Sequence, residues 1–272
     1  MRIRSDLKIV IFLIAVANVG HPGIVSAHEP LFGLGPHTVG QFAWALESEF
    51  ERSHGVWANH FELIYGITPD FAVTAALPYV FENEDGEPGF ADLGIRGKFR
   101  FYRRDYLNGS DGFALHWGIK FPNGNRLENR GSGTTDYLLG LSFGRESRKH
   151  YAFADVRYQI KGSLENLKRG NAIHFDVAYG IRPLQLEYLQ PDLVLLIEIL
   201  GEVRSKNYLN GTEDLNSGGS IISIAPGFLL SYRNVMIKGG VKFTLLENLN
   251  GLQDKPDAEL VFGVEFHMPP FK

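Results

Sequence analysis

Charged and imidazole side chains recur at every second position in several stretches of the chain. Glu47, Glu49 and Glu51 share one parity, and His60 and Glu62 repeat the spacing. Arg96, Lys98 and Arg100 carry the same spacing with the opposite charge, and His116 and Lys120 follow them. Asp155 and Arg157, Asp176, Lys238 and Lys242, and Glu259 and Glu265 complete the set. In a strand, residues two apart point to one face, so each group lines a single surface. Were the first, second and last strands neighbours, the glutamates would form an acidic arc, with a basic arc from Arg96 to Lys120. Two such arcs facing each other across water would impose a transverse field that orients polar solutes and sets ion preference. The competing expectation is that these charges pair across a narrow interior and cancel, because an unpaired buried charge is costly.

Catalytic readings are weaker. The chain has no cysteine, which excludes a disulfide framework, a thiolate metal site and a catalytic thiol. His28-Glu29 has no second histidine at zinc-peptidase spacing, and Gly33-x-Gly35 lacks the third glycine of a dinucleotide loop. No Gly-x-Ser-x-Gly elbow occurs. Ser147, His150 and Ser231 are of the types with which a membrane barrel could hydrolyse lipid, but they read first as turn residues. The acidic run 82–87 could hold Ca²⁺ and reads first as a solvated loop. A free amine and imidazole at His28 could chelate a transition metal, the plainer reading being a solvated terminus. Asn108-Gly109-Ser110 and Asn210-Gly211-Thr212 match the glycosylation acceptor pattern, which a bacterial-type barrel leaves unused. No catalytic residue, cofactor or metal is assigned from the sequence.

The elements that must position the charged stripes are strands. Before them, Arg2, Arg4 and Lys8 precede an apolar run from Ile9 to Ala17, a Pro22-Gly23 break and the small residues Val25-Ser26-Ala27. This is the pattern of a signal peptide cleaved near Ala27, and the run is far short of the roughly 20 apolar residues of a membrane helix. Cleavage would take the formal charge of -4 to about -6, which offers nucleic acid no general attraction. Residues 28–39, rich in Gly and Pro and bearing Leu31, Phe32 and Leu34, form an N-terminal segment that could fold inward as a plug.

From 40 to the C-terminus the hydrophobic period is two. About twelve strands are expected, at 40–51, 56–67, 71–81, 91–104, 112–121, 136–147, 151–161, 171–182, 192–206, 220–232, 235–247 and 257–267. At about 11 residues they have the length of tilted transmembrane strands. The gaps at 67–71, 147–151 and 232–235 are tight, whereas those at 82–90, 122–135, 206–219 and 247–257 are long and polar. With both termini on the inner side, these four long gaps fall outside, as in an outer-membrane barrel. The gaps 103–112 and 182–192 would be long inner turns, and 52–55 a short outer loop. Aromatic residues near the strand ends, among them Phe42, Phe50, Tyr65, Tyr79, Phe81, Phe101, Trp117, Phe121 and Tyr232, suit girdles at two interfaces. A soluble sandwich also alternates; length, girdles and export favour a closed antiparallel transmembrane β-barrel of about twelve strands over 40–272.

The chain also resembles the outer-membrane family named for the MetA pathway of phenol degradation. The resemblance rests on Leu77-Pro78-Tyr79, Gly89-Phe90-Ala91-Asp92-Leu93, Gly97-Lys98-Phe99-Arg100-Phe101, Gly118-Ile119-Lys120-Phe121-Pro122-Asn123-Gly124 and Glu259-Leu260-Val261-Phe262-Gly263-Val264. It departs from the family at Asn123, where Thr or Ser is expected, and at Pro269-Pro270, which leaves Phe266 or Phe271 as the assembly signal. The resemblance implies a porin-like transporter of small, aromatic or otherwise hydrophobic solutes. The partners expected are the bilayer, a small-molecule solute and the outer-membrane assembly machinery of a Gram-negative bacterium. The alternatives are a membrane-embedded lipid-modifying enzyme and a structural or adhesive barrel with a plugged lumen.

Overall fold

A computed structural model describes residues 29–53, 55–82, 86–184 and 190–270. The signal-peptide reading of 1–27, His28, part of the acidic run 82–87 and Phe271 fall outside these residues. The alternating stretches form twelve long strands: β1 (Trp44–Ser53), β2 (Val56–Thr68), β3 (Phe71–Glu82), β4 (Gly94–Tyr106), β5 (Gly109–Lys120), β6 (Asp136–Ser147), β7 (His150–Ile160), β8 (Ala172–Ile181), β9 (Asp192–Arg204), β10 (Gly219–Tyr232), β11 (Val235–Leu249) and β12 (Glu259–Met268). Each pairs antiparallel with its neighbours in sequence. The sheet closes where β1 meets β12, in continuous register from Trp44 opposite Met268 to Arg52 opposite Leu260. The fold is a closed antiparallel transmembrane β-barrel.

Alternation assigns each side chain to a face. On β8, Ile173, Phe175, Val177, Tyr179 and Ile181 are 43–53% exposed on the outside, while Ala172, Asp176, Ala178 and Gly180 are buried on the inside. The same division runs through β6, β7, β9 and β12. Rings on the outer face lie over glycines of the neighbouring strand, Trp117 opposite Gly97 and Phe175 opposite Gly201, where a Cβ would collide with the ring. Aromatic clusters gather toward both ends. Trp44 packs on Tyr65 and Phe113 on Phe143 near the rim that carries the chain ends, while Tyr79 touches Phe81 and Phe90 near the opposite, loop-bearing rim.

Four boundaries differ from the sequence expectation for local reasons. β1 begins at Trp44 because 40–43 turns: Phe42 has φ 61°, and its N–H donates to Gly66 O at 2.6 Å. β4 begins at Gly94 because Asp92 is engaged by loop donors, described below. The expected long inner turn at 103–112 is a two-residue turn at Leu107-Asn108, since β4 and β5 stay paired out to Tyr106 opposite Gly109. Opposed charges sustain that extension, with Arg104 facing Asp111 and Arg145 reaching Asp111 at 2.7 Å. A bulge between Arg100 and Tyr102 also shifts parity, so that Phe101 and Tyr102 are both exposed.

Two outer loops fold further. Ser163–Leu164, Leu167–Lys168, Tyr208–Leu209 and Thr212–Glu213 make a small separate sheet. Its Asn210-Gly211 turn has positive φ at both positions, 53° and 79°, the geometry of a tight hairpin turn that Asn-Gly accommodates best.

Apolar side chains on the outer face are stable there only against hydrocarbon. Phe262→Arg, at the middle of β12, is therefore expected to cost about 2–4 kcal/mol in bilayers. Urea titration of the refolded barrel in liposomes measures it, and an unchanged midpoint would contradict the assignment of faces.

Candidate functional site

The interior has two zones. The first is charged and surrounds a cavity of about 290 Å³. Lys238 of β11 is buried between Glu47 and Glu49 of β1, pairing with both, at 2.6 Å to Glu49. Lys242 pairs with Glu259, and Arg96 of β4 with Glu62 of β2. His60 meets Glu51 at 2.9 Å, and His267 meets Glu265 at 3.0 Å. Farther round, Arg157 contacts Asp155 at 2.8 Å and also pairs with Asp176. His116 bonds the Ser142 hydroxyl at 2.7 Å. The expected acidic and basic arcs are thus subdivided: β11 sends Lys238 and Lys242 into the acidic arc, and each cation sits on a carboxylate. Pairing offsets part of the cost of withdrawing these charges from water, a cost that an unpaired charge would bear in full.

The second zone is apolar. Tyr151, Phe153, Ala178, Val194, Leu196, Leu229 and Met236, all on inward parity, form one cluster with Leu31, and Phe32 packs against it. Leu31 and Phe32 belong to the segment that precedes β1, which runs inside the barrel. Its attachments are specific. The Leu31 and Phe32 N–H groups donate to the Glu198 carboxylate at 2.5 and 3.1 Å, and the Leu34 N–H donates to Asp155 at 2.7 Å. Lys98 pairs with Glu29 and donates to the His37 carbonyl at 2.8 Å. His37 lies 3.4 Å from Glu146. Glycines in the wall make room for the segment: a Cβ at Gly227 or Gly240 would strike Leu31, and one at Gly144 would strike Pro36.

Two expected site residues lie at the rims and not on the cavity. Arg100 is bound at the chain-end rim, where it clamps the β2–β3 turn through Asp70 and the Pro69 carbonyl at 2.8–2.9 Å. Lys120 sits at the loop rim, 2.9 Å from Asp136 and 3.4 Å from Asp92. There Asp92 accepts the N–H groups of Gly124 and Ser132 at 3.0 and 2.8 Å and the Ser132 hydroxyl at 2.7 Å. Asp136 accepts from Thr134, Gly162 and Arg169. Three loops are knotted together by these two carboxylates. Burial works to raise the Asp92 carboxyl, but the Ser132 and Gly124 donors and Lys120 outweigh it and hold it below the usual aspartate range. Asn123, the departure from the expected Thr or Ser, accepts the Leu93 N–H at 2.8 Å, a bond that ties the same loops.

Glu198 and Glu146 were not legible as site residues. Glu198 is 0% exposed. Its only sequence signal was a lone carboxylate inside the apolar run Leu193 to Leu200, which reads as an interruption and not as an inward position. Tyr151 and Phe153 were missed because both parities of β7 are apolar near its start.

The Ser147 hydroxyl and the His150 ring are each engaged elsewhere and not with one another. The Ser147 hydroxyl is used by its own turn, accepting the His150 N–H at 2.9 Å and donating to the His150 carbonyl at 3.2 Å. The His150 ring instead meets the Tyr179 hydroxyl at 2.8 Å.

Such a barrel, with a charged interior and long loops at one rim, has the architecture of outer-membrane barrels, and solved structures share that fold. The chain is similar to an outer membrane channel from Pseudomonas putida F1, at 11% identity and a TM-score of 0.68, over 89% of this chain and 100% of that one. It is also similar to the NanC porin, at 10% identity and a TM-score of 0.53, over 82% of this chain and 98% of that one. At such identities the likeness is one of fold. No family model matches the chain, and no curated protein does at a significant level.

The rim knot makes a testable claim. Asp92→Ala strands three donors and is expected to cost about 1–3 kcal/mol locally, seen as faster amide exchange across 121–135. Because the folded Asp92 value is depressed, its stabilisation is present above the ordinary aspartate pKa and is lost as pH falls through the lowered one. Protection factors across 121–135, the observed exchange compared with the unstructured rate at the same pH, should therefore fall below that range in the unaltered protein, and the variant should lose this fall. Equal exchange in the two proteins would contradict the assignment.

Proposed function

We propose that the protein is an outer-membrane channel or facilitator for small solutes, with hydrophobic or aromatic ones favoured by the sequence resemblance to the MetA-pathway family. The observation that carries this reading is what fills the lumen. A barrel with a purely structural role can close its interior with wall side chains. Here the wall leaves a charged cavity and glycine-lined recesses, and the remaining space is taken by residues 29–39, held only by hydrogen bonds, ion pairs and packing. That segment acts as a plug: it belongs to the chain but not to the wall, and it can leave without breaking the sheet. The loop rim faces outward and the chain-end rim faces the periplasm, as the distribution of long and tight connections requires. Phe266, in the last strand, serves as the aromatic read by the assembly machinery.

The paired charges of the cavity give a passing solute polar partners on both sides, as in selective pores. Arg96 and Lys98 are the cations that balance Glu62 and Glu29, so reversing them turns the cavity strongly acidic.

Planar-bilayer recording on protein taken from outer-membrane fractions tests this. Deleting residues 29–39 should raise single-channel conductance severalfold, and Arg96→Glu with Lys98→Glu should shift the reversal potential toward cation preference. Absence of conductance steps in both the full chain and the deletion would overturn the proposal in favour of a structural barrel. Release of fatty acid from added phospholipid or lipid A would favour the enzyme.

A further inference from the structure

The apolar zone of the lumen is occupied by a side chain from the plug, and the manner of its occupation describes a ligand. Leu31 lies on bare backbone, because Gly227 and Gly240 face each other across β10 and β11 and a Cβ on either would collide with it. Around this recess stand Tyr151, Val194, Leu196, Leu229 and Met236, each no more than 3% exposed. At its edge is the buried Glu198 carboxylate, whose hydrogen bonds come from the backbone of the plug, at Leu31 and Phe32. The Tyr151 hydroxyl, in the same cluster, is buried with no hydrogen-bond partner among the described residues. A compact branched alkyl group and an adjacent N–H therefore fill a recess that also holds one unused polar atom.

We propose that this recess is a ligand-binding site for a small apolar molecule that carries one hydrogen-bond donor, such as an alcohol, and that Leu31 and Phe32 occupy it as an internal competitor. If the plug withdrew alone, Glu198 would lose these donors and the apolar recess around it would be opened to water, an unfavourable arrangement. A molecule that supplies both an apolar body and a donor satisfies the recess in place of the plug. Binding and plug release are then one exchange, and the open lumen is stabilised by the solute that uses it. The inference rests on the channel reading for its purpose, but the exchange itself is measurable without any flux.

The chain contains no cysteine, so a single nitroxide at Leu34→Cys reports plug mobility in the full-length protein. The probe is 3-methylbutan-1-ol, and its methyl ether, which keeps the same branched chain and carries a methyl group in place of the donor hydrogen, is the control. The alcohol is expected to convert the immobile spectrum to a mobile one in a saturable way, with the ether at least about tenfold weaker, because a site built to bond a donor rejects an analogue without one. Leu31→Ala weakens the competitor and should lower the half-maximal alcohol concentration about tenfold. Glu198→Leu, a volume-conserving exchange that keeps the barrel folded, should erase the difference between alcohol and ether.

Equal potency of alcohol and ether in the unaltered protein, discrimination that survives Glu198→Leu, a Leu31→Ala response no different from the parent, or no release up to the solubility limit would each overturn the proposal. Bilayer conductance separates the two readings. A conducting barrel whose plug ignores the alcohol removes the ligand site alone, whereas a plug that exchanges for alcohol in a barrel that never conducts removes the channel and leaves the site.

Discussion

The structure depends first on one constraint. Within hydrocarbon no water is present to satisfy a backbone N–H or C=O, so every such group must find its partner inside the protein. An open sheet fails this test at its two edges. The pairing of β1 with β12, from Trp44 opposite Met268 to Arg52 opposite Leu260, removes both edges at once. Closure then divides the side chains into two populations by parity alone, and the parity that meets hydrocarbon must be apolar. The outer population of Phe, Ile, Leu and Val follows from this, as does the location of nearly every charged residue.

The inner population faces a different problem, since ionised groups that are withdrawn from bulk water need partners. The barrel meets it with local ion pairs, such as Lys238 between Glu47 and Glu49. At Glu198 the donors are the backbone N–H groups of the inserted segment, at Leu31 and Phe32. The inserted segment is thereby part of the electrostatics of the wall. Its removal exposes a cavity lined by glutamates and lysines on one side and by Tyr151, Phe153 and Leu196 on the other. The lumen thus has one polar and one apolar wall.

Most of the fold was legible in the sequence because a period of two is unambiguous over eleven residues, and because tight and long connections alternate. The boundaries that moved were those at which side chains act on backbone. Asp92 draws 91–93 out of β4, facing charges carry β4 and β5 down to Tyr106 and Gly109, and the turn at Gly40 to Ala43 delays β1. Parity assigns Glu47, Glu49, Glu62, Arg96, Lys98, Asp155, Arg157, Asp176, Lys238, Lys242 and Glu265 to one face, but says nothing of height along the barrel. That is why Arg100 and Lys120 turn out to serve the rims. Partners were also beyond reach: that Lys238 divides the acidic arc depends on β11 lying beside β12 and one strand from β1, which only closure establishes. Glu198 was hidden because an apolar strand with both faces greasy offers no parity signal.

The central claim is that apolar parity faces lipid and charged parity faces the lumen. Nitroxides placed singly at 152 to 160 on β7, in the cysteine-free chain reconstituted in liposomes, test it through collision with oxygen, which concentrates in hydrocarbon, against a water-soluble nickel chelate. The account predicts an oxygen accessibility that alternates with a period of two, high at 152, 154, 156 and 158 and low at 153, 155, 157 and 159. A flat profile, or the opposite phase, would contradict it.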